Sequence, residues 1–86
     1  MTEFQSLVFA ATKKIPKGQT RTYAQIAQII GRPKSARAVG NALNKNRNQT
    51  VPCHRVIKSN GELGGFAFGA AKKRALLTKE GFIQKN

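Results

Sequence analysis

The 86-residue sequence has no tryptophan and no aspartate, and only one cysteine, one histidine and one tyrosine. A single cysteine cannot close an intramolecular disulfide, so nothing points to an oxidising compartment. The expected location is the cytoplasm, or the nucleus if the source is eukaryotic. One Cys and one His also fall short of the roughly four ligands of a zinc site, three of them from protein even in an open one, so neither metal nor cofactor is expected. Long apolar runs are missing as well. The most apolar N-terminal stretch, residues 7–11, is shorter than the ~7–15-residue core of a signal peptide and far from the ~20 residues of a membrane span. No membrane partner is expected.

Acid is equally scarce. Three Glu stand against 16 Lys and Arg, which leaves a net charge of +13. Such a surface seeks a polyanion, and nucleic acid is the commonest partner of a compact basic domain; a ribosomal or merely basic surface is the plainer alternative. The basic residues are not gathered on one long amphipathic helix, which argues against a membrane surface. The length allows one modest core, just above the ~70–80 residues at which a core struggles to hold without disulfide or metal. The expectation is one monomeric domain over 1–86.

Thr2 can cap a first helix in which Phe4, Leu7, Val8 and Ala11 recur at helical spacing, and Ile15-Pro16-Lys17-Gly18 breaks it. Thr22-Tyr23-Ala24-Gln25 has the form of a capping box. Tyr23, Ile26, Ala27 and Ile30 would form the buried face of that second helix, ended by Gly31 and Pro33. A third helix, started by Ser35, places Ala36, Val39, Gly40 and Leu43 on one face; Arg37, Asn41 and Asn44 lie on the other, with Lys45 at the edge. Two short helices joined by a tight turn, the second basic, form a helix-turn-helix pattern. Asn60-Gly61 predicts a hairpin with strands over 55–58 and from 62 to 64, the wing of a winged helix. A last helix is expected over 70–79, ending near Gly81. The fold class is therefore mostly α with a small β-hairpin wing.

The only cysteine and the only histidine are adjacent, in Pro52-Cys53-His54-Arg55-Val56. On an extended strand neighbouring side chains point to opposite faces, so a Cys53–His54 pair needs a turn, which Pro52 suggests, or a bridging water. Cys53 can be read as a small buried hydrophobe. Its basic neighbours favour the other reading, a thiol with a depressed pKa and a reactive thiolate. Glu80 is unexpected at a helix C-terminus, where the dipole disfavours a carboxylate, and a carboxylate that orients an imidazole would account for it. Tyr23 alone reads as a core residue, and Arg37 alone as a phosphate contact.

With these residues in place, the sequence resembles the C-terminal catalytic and DNA-binding domain of the O6-alkylguanine-DNA alkyltransferases, over nearly the whole chain. The resemblance rests on Pro52-Cys53-His54-Arg55-Val56, on Ile15-Pro16-x-Gly18 leading to Thr22-Tyr23, on Ala36-Arg37-Ala38-Val39-Gly40 with Asn46 behind it, and on Leu76-Leu77-x-x-Glu80-Gly81. It implies a one-step, irreversible transfer of an alkyl group from guanine O6 in double-stranded DNA to Cys53. His54 would be the water-relayed base, Glu80 the carboxylate that orients it, and Tyr23 the donor to the flipped guanine. The second helix of the helix-turn-helix would enter the minor groove through Ala36, Ala38 and Ala42, flanked by Asn41 and Lys45, with Arg37 filling the gap left by the flipped base. Asn46 would be a hinge. Leu43, Phe66, Ala67 and the carbonyls of Cys53 and Val56 would line the guanine pocket.

The sequence departs from the family pattern in three places. Phe66 stands where the family often has Tyr, bulky Phe68 where a small residue is common, and Arg47 where Pro often follows the hinge. The additional N-terminal α/β domain common in the family has no counterpart in these residues. A related alternative is a damage sensor of the alkyltransferase-like group, in which the cysteine is typically replaced. A winged-helix regulator would explain charge and helices but not the Cys53, His54, Glu80 set.

Overall fold

The computed structural model describes residues 2–48, 50–66 and 68–82. Helix α1 (Glu3–Lys13) starts at a reciprocal box: Thr2 accepts from the Gln5 amide and the Gln5 side chain accepts from the Thr2 amide. Its apolar face places Val8 and Ala11 in the core, with Phe4 packed at the margin. Helix α2 (Tyr23–Ile29) opens with the same device, Thr22 with Gln25, as the sequence predicts. It closes with the Arg32 amide on the Ala27 carbonyl at 2.8 Å and the Gly31 amide on the Gln28 carbonyl at 3.0 Å, a pairing that satisfies two end carbonyls.

Helix α3 (Ala36–Asn44) packs on α2 and α1, and the three enclose a core of Val8, Ile26, Ala27, Val39 and Leu43. Ser35 precedes α3, but its side chain makes no capping bond. Helix α4 (Ala70–Lys79) packs on a short 3-10 turn, Cys53–Arg55. The architecture is helical with a small two-stranded sheet, consistent with a winged helix-turn-helix. Among the described residues no helix is long and apolar enough to cross a membrane.

The strand pairing differs from the expectation. The turn at Asn60-Gly61 forms, with the Lys58 amide donating to the Glu62 carbonyl at 2.9 Å, but no second strand follows over 62–64. Strand β2 (Val56–Ile57) instead pairs in parallel with β1 (Arg21–Thr22), in the register Arg21 with Val56 and Thr22 with Ile57. The apolar pair Val56 and Ile57 is buried, and the edge beside α2 lets it join a ladder inside the domain rather than at its rim. This decides the site geometry: Tyr23, the residue after β1, is drawn alongside the segment that carries Cys53 and His54.

Candidate active site

Cys53 is not on an extended strand. The 3-10 turn begins with it, behind Pro52, and its amide donates to the Val51 carbonyl at 2.8 Å. Cys53 is 4 % exposed and His54 8 %. The Asn46 amide Nδ2 donates to Cys53 Sγ at 3.0 Å and to the Asn48 carbonyl at 2.9 Å, while Asn46 Oδ1 accepts from the Asn48 amide at 3.0 Å. The residue expected as a hinge therefore also touches the thiol. No direct hydrogen bond joins the thiol to the His54 ring among the described residues.

The expected depressed thiol pKa is not found. Burial pushes the Cys53 thiol up, and the Asn46 hydrogen bond and the positive charge of Lys73 only partly oppose it. The basic residues that raise the net charge are mostly at the surface, where water screens them, whereas desolvation acts directly on the sulfur. A thiolate here needs a proton acceptor close by.

His54 and Glu80 do meet. His54 Nε2 lies 2.9 Å from Glu80 Oε2 across 26 positions of sequence. A carboxylate accepts, so Nε2 bears the proton in the neutral ring and Nδ1 keeps the lone pair. Glu80 is the C-cap of α4, and the chain turns there because Gly81 takes φ +87°, a left-handed conformation that a side chain resists. The Phe82 amide then reaches the Leu77 carbonyl at 3.0 Å and closes the helix end.

Arg55 completes this corner, a role that its position in the sequence does not announce. Its Nε donates to Glu80 Oε1 at 3.0 Å, Nη2 to Oε2 at 2.7 Å, and Nη1 to the Ile15 carbonyl at 2.8 Å. The two parallel bonds offset the unfavourable helix-end position of the carboxylate. Arg55 first, and His54 after it, pull the Glu80 carboxyl down to about 2 although burial opposes them.

Lys73 was also missed. It is fully buried in α4, where its Nζ donates to the Val56 carbonyl at 2.6 Å, the Gly65 carbonyl at 3.1 Å and Tyr23 Oη at 3.4 Å. Burial lowers it to about 8, with Cys53 pulling the other way. A signal existed in the sequence: Lys73 sits four residues before the buried Leu77, on the same helical stripe. Tyr23 is half-buried between Gly40 of α3 and Gly64, and burial followed by the Cys53 charge pushes its phenol up. Gly64 is required there: a Cβ would stand 2.9 Å from Tyr23 Oη, and its φ is +76°.

The remaining expected residues divide into three groups. Arg37, Ala38 and Asn41 are exposed on α3, Lys45 is exposed at its C-cap and Ala36 is half-buried, so these positions are open to solvent. Ala42 is a correction: it is 4 % exposed and packs in the core, because α3 turns that stripe towards α1 and α2. It is not available to a groove. Leu43 is 3 % exposed and Val56 is fully buried. The Val56 carbonyl accepts from Lys73, which leaves one of its two lone pairs. Ala67 lies outside the described residues.

Phe66 meets His54 edge-on, ring centroids 6.3 Å apart, and Phe68 meets Phe66 at 5.3 Å. With Val51, Lys72 and Leu76 these rings line a cleft of about 130 Å³ beside the imidazole. Both phenylalanines therefore act on the space around His54. No group of three His, Cys, Asp or Glu side chains that could hold a metal ion is found among the described residues.

The chain matches the family described as 6-O-methylguanine DNA methyltransferase, DNA binding domain, over residues 3–82. It is 56 % identical over 81 residues to a methylated-DNA--protein-cysteine methyltransferase of Methanosarcina acetivorans, covering 93 % of this chain and 52 % of that protein. The chain thus spans about half the length of the curated relatives it matches. The solved structure of Mycobacterium tuberculosis OGT in complex with DNA superposes with a TM-score of 0.90 at 49 % identity, over 94 % of this chain and 50 % of that one. S. pombe ATL in complex with DNA superposes at 0.85 with 37 % identity, over 96 % of this chain and 80 % of that one.

Proposed function

Because the chain belongs to the family of the 6-O-methylguanine DNA methyltransferases, through their DNA-binding domain, we propose that it repairs O6-alkylated guanine in double-stranded DNA by a single, irreversible alkyl transfer to Cys53. The observation that carries this reading is the sulfur's setting. Asn46 holds Cys53 Sγ at 3.0 Å, while the next residue, His54, is bound to Glu80 at 2.9 Å.

The thiol proton passes through an intervening water to His54, and Glu80 stabilises the imidazolium that results. The thiolate attacks the alkyl carbon opposite the leaving oxygen. The S–C bond forms, the C–O6 bond breaks, and its electron pair stays on the guanine. Tyr23 donates to that base as charge develops, and the net reaction moves the thiol proton to guanine. Each molecule acts once, since no step restores the thiol.

A stacked base cannot reach the sulfur of a residue that is 4 % exposed, so the guanine must leave the duplex, at a cost of a few kcal/mol. The outer face of α3 supplies the groove contact through Ala36, Ala38, Asn41 and Lys45, and Arg37 takes the vacated place in the stack. The substrate places this monomeric unit in the cytoplasm, or in the nucleus of a eukaryote.

Incubation with a duplex carrying one O6-methylguanine should raise the intact mass by one methylene on the peptide containing Cys53, and Cys53→Ser should abolish the rise. Wild-type protein that stays unmodified after prolonged incubation would refute the reading. The likeness to ATL supports a second one, a sensor that holds the alkylated base without repair. Tight lesion binding with no mass change would select it.

A further inference from the structure

Arg47 follows the hinge residue Asn46, and the chemistry above makes no use of it. Its side chain folds back on the backbone that precedes it. Arg47 Nη1 donates to the Asn44 carbonyl at 3.0 Å and to the Asn46 carbonyl at 3.3 Å. Asn44 is the last residue of α3, where carbonyls have no partner within the helix. The Lys45 amide goes to Ala42 and Leu43 and the Asn46 amide to Leu43, which leaves the Asn44 carbonyl to the guanidinium. A cation there also meets the negative pole of the helix.

Asn46 is thereby held on two sides. Its carbonyl receives Arg47, while its side chain closes a reciprocal pair with the Asn48 backbone, Nδ2 to the carbonyl at 2.9 Å and Oδ1 from the amide at 3.0 Å. A side-chain amide has two hydrogens to donate, and the second of them goes to Cys53 Sγ at 3.0 Å. Any swing of the Asn46 backbone therefore moves a hydrogen off the sulfur. Arg47 is exposed and Asn46 is 6 % exposed, so the arginine grips the hinge from outside. Among the described residues the Arg47 amide donates to no acceptor, so a proline at this position would remove no backbone hydrogen bond.

We propose that Arg47 is a positioning residue whose guanidinium clamps the end of α3 to the Asn46 carbonyl and so keeps the Asn46 amide on the Cys53 sulfur. This rests on the reading that Cys53 is the reacting thiol. Arg47 touches neither base nor sulfur in this scheme and acts through Asn46 alone. The titratable groups that face the thiol are Lys73 from α4 and Tyr23 from α2, and the variants below keep both.

The rate of iodoacetamide alkylation across pH tests this on the full chain, in which Cys53 is the only thiol. Arg47→Ala should slow alkylation at pH 7 about threefold and move the profile to higher pH, within the worth of one loosened hydrogen bond. Arg47→Pro removes the same charge but stiffens the link by fixing φ, so its rate should stay within about 1.5-fold of wild type. In an Asn46→Ala background Arg47→Ala should change nothing further, because the bond it protects is gone.

A proline variant as slow as the alanine variant would show that the lost charge acts and not the clamp, and would overturn the inference. An unchanged rate in Arg47→Ala would overturn it too, as would the same slowing in both backgrounds. Should Asn46→Ala fail to fold, the contrast between alanine and proline at position 47 decides alone. Iodoacetamide needs neither DNA nor guanine, so the role of Arg47 and the repair reading fail separately.

Discussion

His54 Nε2 sits 2.9 Å from Glu80 Oε2, and the same carboxylate oxygen accepts from Arg55 Nη2 at 2.7 Å. One acid thus serves two neighbours in the sequence, the imidazole next to the thiol and the arginine after it. Glu80 is therefore both part of the site and a tie between α4 and the turn that carries Cys53.

That sharing gives an acid-stability signature. The Glu80 carboxyl lies at about 2 in the fold against 4.5 without its partners. Between those values the unfolded chain takes up the proton first, so the contribution is complete above the unfolded pKa and is lost as pH falls towards the folded one. Its size is about 3 kcal/mol. Urea unfolding at pH 6 and at pH 2.5 should show wild type losing most of this increment, while Glu80→Gln, already without it, changes less. Equal acid sensitivity would count against the pairing.

Arg55 makes two bonds to Glu80 and one to the Ile15 carbonyl. Arg55→Met should destabilise by about 2–3 kcal/mol, less than breaking a fully buried pair because both partners keep some exposure. Arg55→Lys should recover only part of this, since an ammonium cannot reproduce the parallel pair. Denaturation midpoints of the three proteins check the order.

Asn46 bonds the thiol and the Asn48 backbone at once. Asn46→Ala should cost about 2–3 kcal/mol through unmade bonds around a buried sulfur. It should also raise the Cys53 pKa further, since the amide favours the thiolate. The pH profile of iodoacetamide alkylation would then shift to higher pH; a shift the other way would show that Asn46 does not act on the sulfur.

The exposed face of α3 should separate affinity from repair. Lys45→Ala should weaken duplex binding and reduce the salt slope by about one ion. Arg37→Ala should slow transfer from a duplex lesion by at least about tenfold, because flipping loses its support. Reaction with the free O6-methylguanine base, which needs no flipping, should stay unchanged. Equal slowing of both would move Arg37 from the helix gap to the active site.

Much of this was legible in the chain itself. Capping at Thr2 and Thr22 and the ends at Gly31 and Gly81 are local rules, and each is met. Glu80 stood out because acids are scarce and its position works against the helix dipole. The strand pairing was not legible, since a two-residue parallel ladder leaves no alternation to read and Asn60-Gly61 announces a hairpin on its own. Ala42 was misplaced because a stripe of small residues does not say which side of α3 faces α1.

Residue types and spacing alone determined the four helices, the positive surface and the lone thiol beside a histidine, since these depend on period, capping and composition. Tertiary structure decided what those groups meet. The Cys53 pKa rises because burial outweighs a net charge that water screens. Glu80 reaches His54, and Lys73 reaches Tyr23 across 50 positions, only because α4 packs on the 3-10 turn and β1 pairs with β2. Desolvation and long-range contact are properties of the packed chain, and no local pattern of residues encodes them.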